Sequence, residues 1–186
     1  MITLASLWLP ILLSAVFVFV ASSIVHMALP WHRSDFRKTP NEDAVMDALR
    51  PFSLPPGDYL LPRCDHPSQL KSPEFSAKME RGPVMIYTVL PNGKVAMGKN
   101  LLMWFIYLLV VSAIAAYLAT KTVAAGATYH RVFGVIGVAC FLGFSGALWQ
   151  SSIWFSRSWA TTLKSTIDGA IYAGIAAGTF GWLWPR

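Results

Sequence analysis

The chain has 186 residues, of which 55% are apolar and only 13% charged, with a formal net charge of +6. Soluble domains carry about 25% charged residues, so a mean hydropathy of +0.50 with half that charge excludes a water-soluble globule and a disordered chain. Two cysteines exclude a disulfide-stapled secreted module.

The charges are concentrated in the middle of the chain. Met1–Trp31, Asn100–Thr120, Val132–Ser156 and Gly169–Pro185 contain no Asp, Glu, Lys or Arg. A helix crosses the hydrocarbon with about 20 apolar residues. The pattern therefore predicts an α-helical integral membrane protein with four transmembrane helices, over 4–29, 101–119, 131–151 and 166–184. A small α+β insert over 30–99 separates the first two.

The first run has nothing basic before it and is longer than a signal-peptide core, so a retained helix is expected. Trp8 and Trp31, 23 positions apart, would stand about 34 Å apart on a helix, near the two membrane interfaces. The insert opens with a basic juxtamembrane stretch, His32 to Pro40. A short helix is expected from Asn41 to Arg50, then an extended segment with a turn at Pro56-Gly57. A second short helix should begin at Ser72-Pro73, with Ser72 as N-cap, and stop at Gly82. Val84–Leu90, Pro91-Asn92-Gly93 and Lys94–Met97 read as a β-hairpin. Asn100 is the expected N-cap of the second span.

The third span carries Ala139, Gly143 and Ala147. The fourth carries two rows of small residues, Gly169, Ala173, Ala177 and Gly181 beside Ala170, Gly174 and Gly178. Close van der Waals contact drives helix association in lipid, so these two spans are expected to form a tight hairpin. Asp168 is the one acid in or beside a span. The spacing Ser165-Thr166-Ile167-Asp168 reads as a capping box opening the fourth helix, with an ion or partner site as the alternative.

Four spans put the insert and the third loop on one side, with twelve bases against three on the other. The positive-inside rule then places the insert in the cytoplasm and both termini outside, which in a bacterium is the periplasm.

His26, His32, Asp35, Cys64 and His66 are the candidate metal ligands, though they show no paired CxxC or HExxH spacing. No phosphate loop, dinucleotide fingerprint or nucleophile elbow is present, and no cofactor is expected. The basic balance is explained by topology rather than by nucleic acid. The leading expectation is a non-enzymatic accessory, assembly or scaffold protein, with the bilayer and a membrane-protein partner or second copy as its contacts. A small-solute or ion transport component and a membrane metal-binding protein or enzyme are the alternatives.

Leu29-Pro30-Trp31-His32-Arg33-Ser34-Asp35-Phe36, with Pro40-Asn41-Glu42-Asp43-Ala44-Val45 and Pro56-Gly57-Asp58-Tyr59, resembles a family of small multi-span membrane proteins of bacterial genomes. The resemblance implies a bacterial inner-membrane setting and carries no functional residue with it.

Overall fold

The structure, a computed structural model, describes residues 2–94 and 96–186. It is mostly helical, with one two-stranded sheet. It divides into two compact units, one formed by residues 1–37 and 96–186 and the other by residues 38–95.

The first unit contains α1 (Trp8–Ser23), α4 (Met97–Thr122), α5 (Tyr129–Ser145), α6 (Leu148–Phe155) and α7 (Trp159–Leu183). Three helical segments are long and apolar enough to cross a membrane: Ala5–Ala28, Met97–Thr122 and Tyr129–Phe155. The 25-residue α7 is long enough but less apolar, because glycines and Asp168 dilute it. α7 packs most extensively on α5, and also on α1; α4 packs on α1 and α5. The helices thus form a square bundle with α1 opposite α5 and α4 opposite α7.

Helical periodicity builds the core. α5 contributes Val132, Ile136, Cys140 and Phe144, one per turn, and α4 contributes Leu108, Val111, Ala115, Ala116 and Ala119. From α7 come Ala173, Ala176, Ala177 and Phe180. Large apolar residues on the other faces, such as Ile106, Ile114, Val138 and Leu142, are exposed.

The small-residue rows act differently from the expected stripe. A Cβ on Gly169 would overlap Ser145 Oγ, and one on Gly181 would lie 2.6 Å from the Tyr129 ring. These two glycines do admit α5. On α5, however, the close approach to α7 is made at Gly137, whose Cβ position lies 3.5 Å from Ala177 Cβ. Gly143 instead faces Val111 of α4. Ala139 is half-buried and Ala147 exposed. The expected continuous helix over 131–151 is interrupted at Gly146-Ala147, where the Gly146 amide bonds to Leu142 O and closes α5. At the second span, α4 begins at Met97, so Asn100 lies within the first turn and bonds to Ala96 O rather than capping.

The second unit contains α2 (Glu42–Leu49), β1 (Gly57–Leu61), α3 (Pro73–Arg81) and β2 (Met85–Val89). Ser72 Oγ accepts the Phe75 amide at 3.2 Å, and Gly82 leaves α3 at φ 59°. The expected hairpin partner of 84–90 is corrected. β2 pairs antiparallel with β1, Tyr59 opposite Tyr87, and not with the segment after Asn92-Gly93. The Tyr59 and Tyr87 rings stack at 5.2 Å, and Thr88 Oγ1 donates to Asp58 at 2.6 Å. After the turn the chain enters α4 at Met97; Val95, within the expected second strand, lies outside the described residues. No described residue of this unit is fully buried.

Candidate functional site: a histidine–carboxylate cluster

At the end of the bundle where α1 finishes, the backbone departs from α geometry. The Leu29 amide bonds to Ile24 O at 3.2 Å, a five-residue span that makes Ile24–Ala28 a π turn. Such turns interrupt helices at functional sites. Leu29 is extended, and Pro30 then starts a 3-10 turn through His32. This fold-back lays His32 on His26, ring centroids 4.3 Å apart and planes 28° apart.

One face of α7 meets this exit at successive turns. Lys164, Asp168 and Tyr172 are four residues apart and so line up along the helix. Lys164 Nζ donates to Ser34 Oγ at 2.8 Å and to Asp35 Oδ1 at 3.1 Å, and lies 5.9 Å from the centre of the Trp31 ring. Asp168 Oδ2 lies 2.8 Å from His32 Nε2. Tyr172 Oη lies 3.4 Å from His26 Nε2. The capping reading of Asp168 is therefore corrected. α7 starts nine residues earlier, at Trp159, and Asp168 is a mid-helix carboxylate with 5% of its side chain exposed.

His32 Nδ1 is 2.6 Å from Asp35 Oδ2, so the proton belongs on Nδ1. In the neutral ring Nε2 then carries a lone pair. That nitrogen is buried and makes no hydrogen bond, because the 2.8 Å approach of Asp168 is out of line for an N–H donor. A bare lone pair beside a carboxylate oxygen in a buried setting is unfavourable unless a proton or a metal ion lies between them. Donor atoms of His26, His32 and Asp168 all lie within 4.8 Å of one another. Two imidazoles and one carboxylate suit a divalent first-row metal and leave coordination positions open.

Asp35 stands behind His32 rather than among these donors. A carboxylate on the far nitrogen of a ligating imidazole fixes its tautomer and raises its basicity. Burial alone would push the Asp35 carboxyl up. The hydrogen bonds from His32 and Lys164 outweigh that and hold it below the usual carboxylate value. Of the five candidate ligands, His26, His32 and Asp35 thus come together, and Asp168 joins them. Cys64 and His66 belong to the second unit. There His66 caps a short 3-10 turn, and Gln69 Oε1 accepts its amide at 3.3 Å. Lys164 and Tyr172 were not singled out from the sequence. Their four-residue spacing from Asp168 was the available signal.

A cleft of about 570 Å³ adjoins the cluster and shares His26 and Asp168 with it. Its walls are the rings of Trp104, Tyr107, Phe144 and Tyr172. Trp104 and Tyr107 stack at 5.5 Å, and Phe144 meets Tyr172 edge to face at 6.0 Å.

No family model, curated protein or solved structure matches the chain.

Proposed function

We propose that the chain is a four-span integral membrane protein that holds a divalent first-row metal ion at the cytoplasmic membrane face. His26, His32 and Asp168 are the ligands, and Asp35 orients His32. The membrane setting is supported by the broad apolar exterior of the bundle, larger than a water-soluble monomer exposes. In this reading α7 is the fourth span. It turns its small residues and its polar face inward, so it needs less overall apolarity than its neighbours. The base count favours a cytoplasmic insert and periplasmic termini.

The observation that carries the metal reading is the unpartnered His32 Nε2 beside Asp168, with Asp35 on the opposite ring nitrogen. A bound ion of this type acts as a Lewis acid on a ligand at its open position. The chain's own residues hold and orient it: Lys164 fixes Asp35, Asp35 fixes the His32 tautomer, and Tyr172 contacts His26. Elemental analysis of the full-length protein, purified in mild detergent and loaded with zinc, tests this. One equivalent per chain is expected for the native protein and none for His32→Ala. Equal zinc in both removes the proposal.

The accessory or scaffold reading has one observation in its favour. The second unit buries none of its described residues, and so small a unit needs something to cover it. Co-purification of a stoichiometric partner that releases when residues 38–95 are replaced by a flexible linker would favour it. The transport reading is less well supported, because Gly181 packs against the Tyr129 ring of α5 rather than lining a path.

A further inference from the structure

We infer that the aromatic cleft beside the cluster binds a membrane-dissolved amphiphile whose head is a flat, oxygen-bearing ring, of the quinone or quinol class. The inference rests on the metal reading only at its inner end, where a ring oxygen would meet the ion held by His26 and Asp168.

Four features select this chemistry. The walls are aromatic rings, and the polar tips of two of them are already engaged. Trp104 Nε1 donates to Ser22 Oγ at 2.9 Å and Tyr107 Oη donates to Gly143 O at 2.6 Å. What these residues offer an occupant is therefore aromatic carbon rather than hydrogen-bonding groups, which favours a ring over a flexible chain. Second, the cleft lining includes unengaged polar groups. Asn100 and Ser165 line it, and among the described residues neither makes a side-chain hydrogen bond. They supply donors for ring oxygens. Third, Met103 lines the cleft and is 56% exposed, which offers an apolar tail a route along α4 into the bilayer. Fourth, Asn100 and Tyr107 are seven residues apart on α4, about 10 Å of rise, enough depth for one substituted ring. The volume falls in the range of small-ligand pockets, a few hundred to about 1,000 Å³.

The test uses the full-length protein in detergent, zinc-loaded and zinc-free, with a decyl-substituted benzoquinone as probe and decanoate as a chain-matched competitor. Tryptophan quenching reads binding. Saturable quenching is expected in the native protein. Met103→Trp, at an exposed rim position that does not disturb the core, should abolish saturation by closing the mouth. Phe144→Leu should weaken binding roughly three- to tenfold by removing one ring contact. Decanoate at equal concentration should not displace the probe. Absence of saturable quenching in the native protein overturns the inference, as does native affinity in Met103→Trp or displacement by decanoate. The two readings fail separately. Quinone binding that Met103→Trp abolishes, in a protein that takes up no zinc, removes the metal and keeps the cleft. Zinc uptake with no quinone binding does the reverse.

Discussion

Replacing Asp168 by asparagine separates a metal site from a buried ion pair. If His32 is neutral and Asp168 faces its lone pair, the metal-free protein stores an unfavourable contact across 2.8 Å. Asparagine removes the charge from beside that lone pair, a gain of up to about 1 kcal/mol. For a chain of this size that is roughly 2–4 °C in Tm. If instead His32 is protonated and paired with Asp168, asparagine removes one of the two carboxylates that hold a buried imidazolium and costs up to about 3–5 kcal/mol. The two accounts therefore differ in sign. Metal binding supplies the second arm. An ion at 100 times its Kd stabilises the native protein by about 2.7 kcal/mol, and Asp168→Asn should lose that increment. The assay is thermal unfolding in detergent with and without zinc, using loss of near-UV circular dichroism. The account expects Asp168→Asn to match or exceed native Tm without zinc and to gain little with it. A zinc-free Tm lower by about 10 °C or more would refute the lone-pair reasoning.

Asp35→Asn keeps the three ligands but weakens the orientation of His32, so zinc affinity measured by chelator competition should fall about 10- to 100-fold, with stoichiometry unchanged. Gly169→Ala forces a methyl group into Ser145 Oγ and should cost about 1–3 kcal/mol in the same unfolding assay. Gly174→Ala, where the added carbon meets nothing within 4 Å, should stay within about 0.5 kcal/mol of native. Cys64, half-buried in the second unit, should react with a membrane-impermeant maleimide only in inverted vesicles or broken cells; labelling in intact spheroplasts would reverse the orientation.

Local signals were legible where one segment carried the whole cause. Ser72-Pro73 starts α3 and Gly82 ends it, because capping depends on a few neighbouring residues. The long apolar runs likewise mark three helices apolar enough to cross a membrane, since length and composition are intrinsic to each. Pairing was not legible. Pro91-Asn92-Gly93 is a strong local turn, yet Met85–Val89 pairs with Gly57–Leu61 across α3, where the stacked tyrosines meet. α7 begins earlier than expected because Trp159-Ala160-Thr161-Thr162 looks polar for a span, and that displaced start made Asp168 resemble a cap. The cluster itself depends on a π turn and the Pro30 fold-back bringing two histidines six residues apart into ring contact. Neither bend has a periodic signature. Both histidines could be named from their chemistry, but their shared partner Asp168 lies far along the chain and is found only through packing.

X-ray absorption at the zinc edge of the loaded, full-length protein addresses the ligand set directly. The account predicts a first shell of two imidazole nitrogens and oxygen at about 2.0–2.1 Å with no sulfur. Sulfur scattering at about 2.3 Å, or an oxygen-only shell without the outer imidazole signature, would contradict it.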